Sequence, residues 1–162
     1  MANHWHDDGR KLLKDDPNNP GLDWTNRELY AANFISTISP KKVFDFGCGD
    51  CGISKRIDDN IEYVGFDSVA HTEGIVLIDF NLNLPTIQEE GVATCLGILE
   101  YLDDKKAFIE YLYQNFAQVV FSCRDRDRVE TIELFEGAGF TIQVIAKTDP
   151  KPSNQTLYYA EK

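Results

Sequence analysis

The sequence predicts an α/β fold: a doubly wound, mostly parallel sheet with helices on both faces, an antiparallel last strand and an N-terminal helical extension. Three observations carry this expectation. From residue 43 onward, short apolar runs alternate with amphipathic segments, the pattern of strands and crossover helices. The first run opens directly into a glycine-rich turn, GCGDCG. The last two runs, 140–146 and 156–160, are separated only by KTDPKPSNQ, which is too short for a crossover helix. At least one of them must run antiparallel to a neighbour.

The elements follow in order. Residues 1–24 are polar and turn-rich, with two prolines in DDPNNPGLDW, and read as a mobile arm or an ordered loop. TNRELYAANFISTI begins with Thr25 and Glu28 at capping-box spacing. Leu29, Ala32 and Ile35 recur on one helical face, with Phe34 and Ile38 beside them, and Pro40 ends the helix. Strands are expected at 43–46, 61–66, 75–80, 92–96 and 118–123, before the last two. Helices are expected at 51–58, 104–115 and 129–136. Asp127 and Glu130 form a capping pair for the last of these, and Gly137 and Gly139 stop it. The chain divides into an arm and helix, 1–40, on the lid or acceptor side, and a main domain, 41–162.

The 162 residues are 43% hydrophobic and 12% aromatic, enough for one domain with its own core. The formal net charge of −11 repels phosphate, so neither a nucleic acid nor an anionic membrane is an expected partner. A small molecule fits better, and a cationic one would be attracted. No run of 18 apolar residues is present and the N-terminus has no apolar signal core, so a cytoplasmic location is expected. Cys48, Cys51, Cys95 and Cys123 do not read as a secreted disulfide framework.

Gly47, Gly49 and Gly52 stand in G-x-G-x-x-G spacing after the first strand. Cys48 and Cys51 stand in C-x-x-C spacing within the same turn. A dinucleotide site, a redox or metal site, and a site for another nucleoside cofactor compete. Asp67 ends the second strand 20 residues after Gly47, where an acid binds ribose hydroxyls. The acids of the turn discriminate further. A pyrophosphate at a helix N-terminus wants N–H groups and no nearby negative charge. Asp45 and Asp50 would repel it, yet both suit a ligand carrying an ammonium and a sulfonium.

That pairing is found in S-adenosylmethionine, and the motifs agree. VFDFGCGDCG resembles the first motif of the class I S-adenosylmethionine-dependent methyltransferases, a Rossmann-like family. YVGFDS is similar to the second motif, LIDFNLNLP to the third, CLGILEYLDD to the fourth, and FEGAGF to the family's C-terminal end. The resemblance spans about residues 40–162 with the motifs in family order. Within the family, FGCGDC loosely resembles the methionine-biosynthesis protein W group.

The resemblance implies roles. Gly47, Cys48 and Gly49 lie along the methionine part of the cofactor, and Asp45 holds its amino group, partly through water. Asp67 takes the ribose hydroxyls, with Ser68 following near the adenine, and Asp79 and Phe80 flank the adenine. Leu96 and Gly97 lie beside the cofactor, facing the acceptor. The implied activity is methyl transfer to a small-molecule acceptor, such as a sugar or metabolite hydroxyl. An in-line displacement from a sulfonium needs alignment above all, and a base only where the acceptor loses a proton. Glu100 and Tyr101 are the candidate catalytic residues, with Asp103 nearby. Tyr101 stands where the family often has His.

Alternatives stand beside these readings. A cofactor-binding accessory or regulatory protein would carry the same motifs without turnover, and a nucleotide-dependent oxidoreductase would share the glycine spacing. The cysteines read as small buried hydrophobes, with a redox pair or zinc site as the other possibilities; no metal is expected. His4, Trp5 and His6 either line an acceptor pocket or belong to a loose end, and His71 is a loop residue. Arg124 and Arg126 either pair with Asp125 and Asp127 or grip an acceptor anion. Trp24, Tyr30 and Phe34 are either lid or packing aromatics.

Overall fold

The computed structural model describes residues 25–148 and 154–162. His4, Trp5, His6 and Trp24 lie outside the described residues, as does most of the connection between the last two strands.

Seven strands form one sheet: β1 (Lys42–Phe46), β2 (Glu62–Asp67), β3 (Val76–Leu77), β4 (Val92–Cys95), β5 (Gln118–Arg124), β6 (Thr141–Lys147) and β7 (Gln155–Glu161). Their spatial order is β3-β2-β1-β4-β5-β7-β6. The pairs β1–β2, β1–β4, β2–β3 and β4–β5 are parallel. Strand β7 runs antiparallel to both β5 and β6. The fold is therefore the mostly parallel, Rossmann-like sheet with an antiparallel last strand that the sequence predicts. Its winding reverses between β1 and β4, which opens a crevice at their carboxyl ends.

Strand alternation sorts the core into two layers. Phe44, Phe46, Ala93, Cys95, Val119, Phe121, Cys123, Tyr158 and Ala160 point to one face. Helices α2 (Lys105–Asn115) and α3 (Arg128–Ala138) cover it with Phe108, Ile109, Leu112 and Phe135. Phe121 and Phe135 stack with centroids 3.9 Å apart. Asp104 caps α2 by accepting from the Ala107 amide at 2.9 Å. Val43, Val92, Val120, Leu157 and Tyr159 point to the opposite face. There α1 (Thr25–Ile38) packs Ala31, Ala32 and Ile35, and Phe34 meets Tyr159 at 4.9 Å.

Several local expectations are corrected. Residues 51–58 form no α-helix: Cys51 sits at φ 59, and the segment closes through tight bonds such as Ser54 N to Cys51 O and Arg56 N to Ile53 O. Ile53 and Ile57 bury themselves from successive turns, which mimics helical spacing. The third strand is only Val76–Leu77, because the chain curls at Asp79, whose carbonyl accepts from Leu82 and Asn83 amides. Leu29 points outward, 43% exposed, and Ala31 takes the inward place. Asp127 makes no side-chain cap for α3; its carboxylate meets Arg126 Nε at 3.3 Å instead. Gly139 does end that helix in the left-handed region, φ 116.

Candidate functional site

The glycine turn is held against the end of β2. The Gly47 and Cys48 amides both donate to the Phe66 carbonyl, at 2.8 and 3.0 Å. The Gly49 amide donates to Asp67 Oδ2 at 2.8 Å, and the Val69 amide to Oδ1 at 3.3 Å. Gly47 and Gly49 adopt φ of 76 and 56, which lets the backbone turn sharply at the end of β1.

A narrow cleft opens at the carboxyl ends of β1 to β4, lined by Gly47, Asp67, Ser68, Ile78, Asp79, Phe80, Asn81, Ile98, Tyr101 and Leu102. Six of these ten residues are among those singled out in the sequence. Asn81, which the sequence reading missed, ties the cleft together. Its Nδ2 donates to the Tyr101 carbonyl at 3.2 Å, and its Oδ1 accepts from the Asp103 amide at 2.9 Å. Its own amide donates to Asp79 Oδ1 at 2.9 Å. The only sequence signal for it was its place two residues after Asp79.

Asp45, Cys48, Gly49, Leu96, Gly97 and Glu100 do not line this cleft. Asp45 is buried behind the turn, accepting from Tyr63 Oη at 2.6 Å and Thr94 Oγ1 at 2.7 Å. Burial pushes its carboxyl up to about 6, against the pull of those two hydrogen bonds. Burial and the Asp45 charge push the Tyr63 hydroxyl well up, so it remains a donor. Thr94 faces Asp45 directly across the β1–β4 ladder. Ser122 and Gln155 extend this buried polar row on the α1 face of the sheet. Ser122 Oγ accepts from the Gly97 amide at 2.9 Å. Glu100 Oε1 receives Gln155 Nε2 at 3.4 Å and the Arg124 Nε ion pair at 3.6 Å. Its side chain is 8% exposed. Arg124 thus pairs with Glu100, while Asp125 pairs with Lys147 at 2.8 Å.

Helix α1 closes the back of the site with two consecutive residues. The buried Arg27 guanidinium lies against Gly97, and the Glu28 carboxylate lies over Gly52 and pairs with Arg56 at 3.2 Å. Nothing in the sequence links Arg27 to residue 97. Phe34 is a packing aromatic, and Tyr30 is exposed.

Cys48 and Cys51 lie with their sulfurs 3.5 Å apart beneath the turn. Cys95 and Cys123 belong to the other face of the sheet. Among the described residues, no group of three or more His, Cys, Asp or Glu is arranged to hold a metal. Among the same residues no helix is long and apolar enough to cross a membrane.

No family model matches the sequence, and no curated protein matches it. Solved structures do match its fold. The methyltransferase domain of bacterial CtHen1-C superposes with a TM-score of 0.67 at 15% identity, over 85% of this chain and 97% of that one. The plantazolicin methyltransferase BpumL, solved with a monoazolic desmethyl analogue and S-adenosylhomocysteine, gives 0.68 at 11% identity over 94% and 93%. Human N-acetylserotonin methyltransferase, solved with S-adenosylmethionine, gives 0.60 at 15% identity; it shares 90% of this chain but only 54% of its own. The resemblance to class I methyltransferases read from the motifs therefore holds in the fold. At these identities, activity and substrate do not follow from the likeness.

Proposed function

We propose that the protein is an S-adenosylmethionine-dependent methyltransferase acting on a small-molecule acceptor. The observation that carries this reading is the convergence of Gly47, Asp67, Ser68, Asp79, Phe80 and Tyr101 on one cleft at the strand ends. Those residues come from four different loops and were each implied by the motif resemblance.

The chemistry of the donor set fits the cofactor. Asp67 offers a carboxylate to ribose hydroxyls and is held in place by the Gly49 and Val69 amides. Asp79 offers a second carboxylate for an amino group, and the Phe80 ring gives an apolar wall. The cofactor would supply a methyl group on a sulfonium, an excellent leaving group. The chain's part is to align, to exclude water and to favour positive charge. Asp45 serves the last purpose from behind the turn, where its carboxylate sits in a poorly solvated place and its field is little screened. Tyr101 is the candidate catalytic residue that lines the cleft. Glu100, committed to Arg124 and Gln155, positions the loop after β4. The chain's net charge of −11 favours a small acceptor over a nucleic acid.

A second reading, a cofactor-binding regulator without turnover, is favoured by that commitment of Glu100, which takes one of the two candidate catalytic side chains away from the cleft. Calorimetric titration of the reduced protein with S-adenosylmethionine, S-adenosylhomocysteine and NAD tests the cofactor. Micromolar binding of both adenosyl ligands and none of NAD is expected; NAD binding alone would sink the proposal. Turnover of a small hydroxylated or amine acceptor then separates enzyme from regulator.

A further inference from the structure

The motif resemblance accounts for Cys48 but leaves Cys51 unexplained. The two thiols are free and 3.5 Å apart, within sulfur hydrogen-bond reach. The turn that carries them is closed by the Cys51 amide donating to the Cys48 carbonyl at 2.9 Å. A turn closed this way holds its end Cα atoms within about 7 Å, and a disulfide spans Cα atoms up to nearly that distance. Residue 65 lies directly below. A Cβ there would approach Cys48 Sγ to 2.9 Å and Cys51 Sγ to 3.2 Å, so Gly65 is what lets the two sulfurs share one pocket. Cys51 holds φ 59, a conformation costly for a side chain other than glycine's, and so the turn stores strain at one of the two sulfurs.

We propose that Cys48 and Cys51 form a reversible dithiol–disulfide site for small peroxides, and that its redox state sets the shape of the glycine turn.

The two thiols are unequal. The close contact between the two sulfurs holds the Cys51 thiol below its ordinary range, while the same contact and burial push Cys48 up. Cys51 is therefore the attacking sulfur and Cys48 the resolving one. Cys95 and Cys123 are buried in the aromatic layer, and desolvation pushes both up, which makes them unreactive by comparison.

The chemistry balances with hydrogen peroxide as oxidant. The Cys51 thiolate attacks one peroxide oxygen, the O–O bond breaks, and the departing hydroxide takes up a proton to become water. Cys51 is now a sulfenic acid. The Cys48 sulfur attacks Cys51 Sγ, the S–O bond breaks, and hydroxide leaves with the Cys48 proton as a second water. The thiols lose two electrons and two protons, and the peroxide is reduced to two waters. Gly49, between the cysteines, donates its amide to Asp67, so the cross-link bears directly on the ribose-binding acid.

The test uses the full chain, reduced and then exposed to hydrogen peroxide, alkylated, digested and weighed. The expected product is a residue 48–51 peptide lighter by two hydrogens, restored to two alkylatable thiols by dithiothreitol. Cys48→Ser should stop at a sulfenic acid trapped by a cyclic diketone probe. Retention of both thiols, direct passage to sulfinic acid, or pairing with Cys95 or Cys123 would overturn the site. Titration of both forms with S-adenosylhomocysteine reads the effect on the turn, an arm that rests on the proposed cofactor. A change of about tenfold in affinity is expected. Equal affinities would overturn the control of the turn. Binding by neither form would reject the cofactor while the mass result still decides the disulfide.

Discussion

The guanidinium of Arg27 occupies the space into which a side chain at Gly97 would project. The contact joins the first helix to the loop after β4, two segments seventy residues apart in sequence. It is doubly restrictive, because Gly97 also holds φ 69. Gly97→Ala should cost about 2 kcal/mol from backbone strain, and more where Arg27 must move. Chemical denaturation checks this. Adding Arg27→Ala should recover part of the loss, a non-additivity that a double-mutant cycle would resolve.

The buried Asp45 makes stability depend on pH. Its carboxyl is raised in the folded state to about 6, so the folded chain holds that proton more tightly than the unfolded one. The sign follows. Asp45 costs nothing below its unfolded value of 3.8, and its cost grows as pH rises through about 6. Asp45→Asn, which cannot ionise, should gain stability relative to the parent by about 3 kcal/mol between pH 3.5 and 7. Urea unfolding of both proteins across that range measures the difference; a constant difference would disprove it.

Asn81 bridges the loops after β3 and β4 through Tyr101 and Asp103. Asn81→Ala removes both bonds and should cost about 1–2 kcal/mol. It should also weaken S-adenosylhomocysteine binding, since both bridged loops line the cleft. Asn81→Asp keeps the acceptor for the Asp103 amide and is expected to fall between. Calorimetry on the three proteins orders them.

Glu100 and Tyr101 are adjacent but face different surroundings. Glu100→Gln should lower stability by about 1 kcal/mol, because the lost ion pair with Arg124 is partly solvated. Affinity for S-adenosylhomocysteine should fall less than in Asn81→Ala, because the Gln oxygen still accepts from Gln155 and keeps the loop after β4 in place. Tyr101→Phe should reduce turnover with a hydroxyl acceptor. A large loss of turnover in Glu100→Gln with Tyr101→Phe fully active would reverse the two roles.

The sheet was legible because Val43 to Phe46 and Gln118 to Cys123 are short, almost continuous apolar runs, as strands buried on both faces are, and because the final pair of strands lacks a connecting helix. The cleft was legible in part because Gly47, Asp67 and Asp79 each sit at a strand end. What failed was local. Ile53 and Ile57 carry a helical spacing, but the left-handed Cys51 and the tight turn that follows override it. Leu29 looked like core and is not, because the smaller Ala31 and Ala32 let α1 lie closer to the sheet. Arg27 was invisible, since its partner is set by how α1 crosses the sheet rather than by any nearby residue. The commitment of Glu100 to Arg124 and Gln155 likewise needs three separate strand ends to meet.

The placement of β7 has a consequence for how the chain matures. Made after β6, it nonetheless inserts between β5 and β6, and its Leu157 and Tyr159 complete the seat of α1. During synthesis, α1 leaves the ribosome early yet has only part of its apolar surface to rest on until residues 155–161 arrive. The parallel half of the sheet is then exposed along β5, an unpaired edge in a nascent chain. Until β7 is in place, β5 is thus the edge along which the folding chain can pair with another chain.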